Sequence, residues 1–199
     1  DASGTGIGSI DSAGSVNTTS GFSITSFTGT QTAGTIAHGL GAVPKMIIVK
    51  ARTQADGWYV YHVSNTATKY MRMETTGTLG SGAAFWNDTA PTSTVFSVGN
   101  GTGTNYNGAM IAYCFAEKQG FSKMGSYIGN GNANGTFIYT GFKPAYVMTK
   151  CTSDSSNWEI KDNKRSPFNN VDDYLKANAS SAEDAGVASH AMDFLSNGF

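Results

Sequence analysis

The sequence is short of charge. Asp, Glu, Lys and Arg make up only 14% of its 199 residues, and 13 cationic against 14 acidic side chains leave a formal net charge of −1. A soluble domain ordinarily carries about a quarter charged residues. There is no basic field to gather nucleic acid and no polybasic stretch to hold anionic lipid. The densest cationic cluster, Lys161 to Arg165, is broken by Asp162. Cysteine is also scarce. Cys114 and Cys151 do not make a disulfide framework in a chain this long, so both are expected as free, mostly buried thiols. No apolar run approaches the roughly 20 residues of a membrane-spanning helix, which argues against membrane insertion. Residues 1–20 lack the charged start and apolar core of a signal peptide. The three histidines, His38, His62 and His190, stand at no metal-binding spacing, and no metal or other cofactor is expected.

Gly, Ser, Thr and Asn fill the space that charge leaves. These residues disfavour helices, because Gly costs backbone entropy and the small polar side chains compete for backbone hydrogen bonds. They suit short strands joined by many turns, so the fold class is all-β. Residues 1–20 are too poor in apolar side chains for a core element, Ile7, Ile10 and Val16 being isolated. They read as a flexible Gly/Ser arm or linker.

The rest of the chain repeats itself. Gly21-Phe22-Ser23 recurs as Gly120-Phe121-Ser122. From Phe27 onward the spacing is a constant 100 residues: Phe27 with Tyr127, Gly41 with Gly141, Pro44 with Pro144, Lys50 with Lys150 and Trp58 with Trp158. Beyond the tryptophans the match loosens, with Tyr70-Met71 opposite Tyr174-Leu175 and Val95-Phe96 opposite Asp193-Phe194. The expected organisation is two tandem diverged β-sandwich, jelly-roll-like units, residues 21–118 and 119–199. Each copy shows a Gly-rich, hairpin-like stretch (Gly29 to Gly34, Gly129 to Gly135), then a Gly-x-x-Pro turn and a strand, Lys45–Lys50 or Ala145–Lys150. A polar turn leads on to Trp58–His62 and Trp158–Asp162. The first copy ends in a clear strand, Ala109–Glu117, for which the second has no counterpart. About 16 residues would complete it, and a sheet short of a strand has an open edge. Asn178 to Ala191 and Thr75 to Asp88 are expected to be irregular.

Alternation orients the tryptophan strands. In the second copy Trp158 and Ile160 share one face and Glu159 and Lys161 the other. Buried unpaired charge is costly, so the tryptophan face should be the core side. By analogy Trp58 is core and Tyr59 and Tyr61 point outward. Pro44, Trp58, Pro144 and Trp158 are therefore the expected structural core positions. Trp86 lies in the polar loop Phe85-Trp86-Asn87-Asp88. Tyr59, Tyr61 and Trp86 are the candidate ligand-binding residues, since exposed aromatics beside Asn and Asp stack on sugars or anchor a protein. The competing fate of the same side chains is burial between copies or subunits.

Catalytic motifs are absent. No Gly-x-Ser-x-Gly elbow, His-Glu-x-x-His helix or phosphate loop occurs, and Gly4-Thr5-Gly6-Ile7-Gly8 follows no strand. Asp172-Asp173 are sequence neighbours and do not face each other. His38 is matched by Ile138, which carries no proton, so a structural role is expected. The chain is read as non-enzymatic.

The runs Gly21-Phe22-Ser23-Ile24, His38 to Lys50, Trp58 to His62, Trp86 to Pro91, Ile111 to Glu117 and Phe194 to Phe199 resemble a repeated β-rich domain of tail-fibre-like structural proteins from marine bacteriophages. The resemblance implies a virion protein, with other virion proteins as partners. The leading expectation is a tail fibre or tail-associated protein that contributes to host recognition through a surface glycan or protein. Such fibres are homo-oligomers, with a trimer favoured. A capsid decoration or head-fibre protein is the alternative.

Overall fold

A computed structural model describes residues 6–199. The chain is all-β and divides into two compact units. One holds the chain up to Met73 together with Leu79–Lys118, and the other holds Glu74–Thr78 and Gln119–Phe199.

The first unit contains strands β1 (Ser12–Asn17), β2 (Phe22–Thr28), β3 (Gly34–Ala37), β4 (Met46–Ala51), β5 (Trp58–His62), β6 (Lys69–Arg72), β7 (Gly80–Ser81), β8 (Val95–Val98) and β9 (Ala109–Phe115). Seven of them form one antiparallel sheet in the order β1-β2-β9-β4-β5-β6-β7, and β3 and β8 form a second sheet. The sequence-distant β9 sits inside the sheet, between β2 and β4. It pairs with β2 from Phe22↔Phe115 to Thr28↔Ala109, and with β4 from Met46↔Phe115 to Ala51↔Met110. Its alternation places Met110, Ala112 and Cys114 on the inner face, each fully buried. Phe27, Ile36, Val49, Phe96 and Val98 join them in one core, so the small sheet packs on the large one. The Phe27 and Phe96 rings meet edge to face at 6.4 Å. Two antiparallel sheets packed over one core are the arrangement of a β-sandwich, the class expected.

Residues 1–5 of the expected arm lie outside the described residues. The remainder is not a linker. Residues 12–17 form β1, which hairpins onto β2 from Ser12↔Phe27 to Asn17↔Phe22. Ile10 is buried in the core. The strand is sparse in apolar side chains because backbone bonds to β2, not side-chain burial, hold it.

The stretch Gly29 to Gly34 is not a hairpin either. It carries the chain from the large sheet to the small one. Asn105, wholly buried, organises this crossing. Its amide nitrogen donates to the carbonyls of Thr32 (2.8 Å) and Gly99 (2.7 Å), and its oxygen accepts from the Thr30 N–H (2.8 Å). A side chain 75 residues away thus takes the place of a local turn.

The second unit contains β10 (Tyr146–Lys150), β11 (Trp158–Asp162) and β12 (Leu175–Lys176), one antiparallel sheet in that order. Its ladder repeats the first unit's. Met46↔His62, Ile48↔Val60 and Lys50↔Trp58 reappear as Tyr146↔Asp162, Met148↔Ile160 and Lys150↔Trp158. The repeated residues have visible roles. Gly41 (φ 66°) and Gly141 (φ 84°) adopt the left-handed backbone that glycine tolerates, one turn before buried Pro44 and Pro144. The repeated lysine clamps the turn that joins the two strands. Lys50 Nζ donates to the Asp56 carbonyl (2.7 Å), and Lys150 Nζ donates to Ser156 (3.0 Å), Cys151 (2.9 Å) and Thr76 (3.0 Å) carbonyls. A small core of Val147, Val171 and Phe194, with Met192 and Phe199 against it, closes the unit. Residues 129–135 are irregular, where a hairpin-like stretch was expected.

Irregularity was expected of two further segments. Thr75 to Asp88 instead carries β7 and a helical turn, Ala83–Trp86, while Asn178 to Ala191 is irregular apart from a short 3-10 turn at Ala188–His190.

The cysteines part ways. Cys114 is buried, and burial pushes its thiol up to about 12. Cys151 is exposed, and hydrogen bonding from Ser153 lowers its pKa, contrary to the expectation of burial. The thiolate is the reactive form. Ellman's reagent should therefore titrate one thiol rapidly in the native protein and a second only in denaturant. Two fast thiols under native conditions would contradict this burial of Cys114.

Candidate functional site

The three aromatic residues singled out for ligand binding do come together, but inside the first unit. Tyr59 is 8% exposed, Tyr61 4% and Trp86 2%. Tyr59 stacks on Phe85 at 4.9 Å and meets Tyr70 at 5.6 Å; Tyr61 meets Trp86 edge to face at 5.9 Å. The Ala83–Trp86 turn supplies Phe85 and Trp86 as a lid on the inner face of β5. Gly103 lies so close under Tyr59 that an added Cβ would sit 2.3 Å from the ring. No face of these rings is free for a sugar. The assignment as a ligand platform is corrected: they are core.

Trp58 is corrected in the opposite direction. It is 37% exposed and stacks on Tyr113 at 6.3 Å. Val60, on the same face as Trp58, is fully buried beside Ile48 and Met71, its ladder partners. The first unit's large sheet is apolar on both faces, so alternation alone did not identify the inner one.

In the second unit Trp158 is buried at 3% exposure, but the charged face of β11 is also covered. Lys161 is 2% exposed. Its Nζ pairs with Glu159 Oε2 at 2.9 Å and lies 4.7 Å over the Tyr174 ring. Glu159 Oε1 meets His190 Nδ1 at 2.7 Å, and His190 stacks on Tyr174 at 4.9 Å. Lys176 pairs with Asp184 at 2.6 Å and lies 5.6 Å from the same ring. Glu159 and Lys161 occupy the ladder positions of Tyr59 and Tyr61. The second unit has replaced an aromatic inner face with a charge-paired one, roofed by Tyr174 and His190. Buried charge is tolerated when paired, so both faces of β11 are covered where one was expected.

This cluster gathers Glu159, Lys161, Lys176, Asp184 and His190 around one strand. A carboxylate holding an imidazole through Nδ1 is one half of a hydrolytic triad. Here the carboxylate is shared with Lys161, and among the described residues no hydroxyl or thiol nucleophile is bonded to His190. Among the described residues no group of His, Cys, Asp and Glu is placed to hold a metal ion. Arg165 pairs with Asp162 at 3.0 Å and also with Glu183. Each of these carboxylates therefore faces a cation, and the arrangement cross-links loops onto β11. Sequence reasoning missed it because its members span Glu159 to His190 with no motif spacing.

His38 has the structural part its repeat partner suggested. It is buried, its Nε2 reaches the Thr92 carbonyl at 3.1 Å, and its Nδ1 accepts from the Leu40 N–H at 3.2 Å. Accepting at Nδ1 fixes the proton on Nε2. One open depression lies beside Gln31, Thr32 and Asn87, and another beside Lys143, Ser166, Phe168 and Asn169. Neither is lined by a carboxylate, an imidazole or a thiol that could activate the hydroxyls of Thr32 or Ser166.

What the fold defines is an all-β protein with a two-layer first unit and a smaller second unit built on the same strand ladder. The chain belongs to the family described as a domain of unknown function, DUF7483, whose model matches residues 1–199. No curated protein and no solved structure matches it.

Two outcomes follow from this geometry. Among the described residues the buried Trp86 indole N–H has no hydrogen-bond partner. Trp86→Ala should cost about 3–5 kcal/mol in the denaturation of the first unit, whereas Trp86→Phe should cost less than about 1.5 kcal/mol. Equal losses would mean that the N–H carries the residue. For His38, burial depresses the folded pKa below the ordinary 6.5. The unfolded chain then binds a proton the folded one refuses. Stability is full above pH ~6.5 and falls as pH drops toward the folded value. His62 shifts the same way. His38→Asn, which keeps an acceptor for Leu40 N–H, should flatten the stability slope between pH ~6.5 and ~5. An unchanged slope would assign the proton uptake elsewhere.

Proposed function

We propose that this chain is a structural protein of a bacteriophage virion, a tail fibre or tail-associated component, working by assembly and not by catalysis. The observation that carries the reading is the repeated ladder. One strand pair, with its Gly-x-x-Pro lead-in and its lysine-clamped turn, is used twice at a spacing of 100 residues. Repetition of a β unit is how extended, load-carrying proteins grow. The near-neutral, Thr- and Gly-rich surface and the resemblance of the motifs from Gly21 to Phe199 to tail-fibre-like proteins support the same reading. So does the pairing of the second unit's central carboxylates, which leaves no acid–base couple aimed at a cleft.

Host recognition in this reading does not use Tyr59, Tyr61 or Trp86, which are internal. The partners are other virion proteins and further copies of the chain, with three copies per fibre. Labelling assembled particles with an antibody to this chain should place it at the tail or fibre, and quantitative mass spectrometry should give copy numbers in multiples of three. Hundreds of copies tiled over capsid hexamers would replace the tail assignment with a decoration role.

A further inference from the structure

The two units differ most where they should agree. In the first, β4 is bonded on both sides, by β5 and by β9. In the second, among the described residues, β10 is bonded to a strand on one side only, by β11. The hydrogen-bond phase of its other side follows from the ladder. Asn163 N–H donates to the Ala145 carbonyl, as Val63 N–H does to Lys45. Antiparallel bonding then alternates, so Val147 and Thr149 bond to β11 while the N–H groups of Tyr146, Met148 and Lys150 point to the open side. In β4 the equivalent side is the one that β9 occupies.

A second observation concerns the segment that matches β2. Residues 22–28 form β2 by pairing with the far edge of β9, and Phe27 is buried there. The equivalent residues, 121–128, form no strand. Phe121 is 65% exposed, Tyr127 49% and Ile128 89%. Tyr146 on β10 is 55% exposed. The second unit thus has both an unbonded strand edge and exposed apolar side chains in the segment that matches β2, and in the sister unit a single strand satisfies both.

We propose that the open edge of β10 is a strand-docking site. Its occupant is an extended segment of another polypeptide with the alternation of Ala109–Phe115. The register states its chemistry. Beside Val147 and Thr149 it needs small residues, as Cys114 and Ala112 stand beside Ile47 and Val49. Beside Tyr146 and Met148 it needs large apolar ones, as Phe115 and Tyr113 stand beside Met46 and Ile48. Main-chain bonds give such a complex its affinity and the alternate side chains its specificity. The far edge of the docked strand then pairs with residues 121–128 and converts them to a strand. The inference rests on the assembly reading only for the donor's origin; the edge and its register are independent of it.

The test uses a peptide with the sequence Gly108 to Glu117 carrying Cys114→Ser, and a scrambled control. Each is added to the full chain, and in a second arm fused to its C-terminus by a flexible linker, which holds the peptide at about millimolar effective concentration. Hydrogen exchange is the readout. The amides of Tyr146, Met148 and Lys150, and alternate amides within 125–128, should slow by at least about tenfold with the matched sequence only. Val147 and Thr149, already bonded to β11, should change little. Met148→Pro removes an N–H from the open side alone, so it should abolish the effect and leave the β10–β11 ladder protected. No slowing in the fused arm would overturn the proposal. So would protection of the edge amides in the unmodified chain together with a doubled mass, which would assign the edge to pairing between two copies. Neither result bears on where the chain sits in a particle.

Discussion

The first unit hangs on the two-sided hydrogen bonding of β9. That strand is the last of the unit in sequence and an interior strand of its sheet, third of seven. Its outer neighbours, β2 and β4, belong to different parts of the chain and are joined in one sheet only through it. Bonded to both, β9 fixes their registers and drives Met110, Ala112 and Cys114 into the core. The small sheet then has a continuous apolar floor to cover. The second unit shows the same strand pair without such a centre. Its ladder survives, because β10 and β11 are closed by a clamped turn, but the segment matching β2 forms no strand. A short backbone segment gains nothing by extending when no neighbouring strand receives its N–H and C=O groups.

The inner faces of the two ladders satisfy one geometry with different chemistry. The first fills the space under β5 with rings: Tyr59, Tyr61, Tyr70, Phe85 and Trp86. The second fills the space under β11 with Glu159, Lys161, Tyr174 and His190. Rings gain dispersion and apolar burial without directional demands. A buried ammonium needs a partner in place, and Lys161 has both a carboxylate and a ring. The charged version ties the segments carrying Tyr174 and His190 to one strand, a gain in placement more than in free energy.

Much of the ladder was legible in the sequence. Gly41 and Gly141, Pro44 and Pro144, Lys50 and Lys150 kept step because each acts locally, in a left-handed turn, through a fixed φ, or as a clamp on the nearby carbonyls. Residues that act locally leave local signatures. The candidate site was not legible. Tyr59 and Tyr61 were placed outward on the strength of Glu159 and Lys161, on the premise that charge marks the solvent side. Lys161 breaks the premise by being paired at 2% exposure. Trp86 stood in a polar loop, and nothing near it in sequence announced that the Ala83–Trp86 turn folds it onto Tyr61.

The sequence by itself determined the all-β class and the two strands that recur at a spacing of 100 residues, because alternation, glycine and proline act within a few residues of where they stand. Only the tertiary structure decided which face of each strand is inside, that residues 12–17 are an edge strand rather than an arm, and that β9 lies between β2 and β4. Those outcomes depend on which distant surface arrives to cover a face or bond an edge. A strand flanked by apolar residues on both sides carries no mark of its partner until the chain has folded.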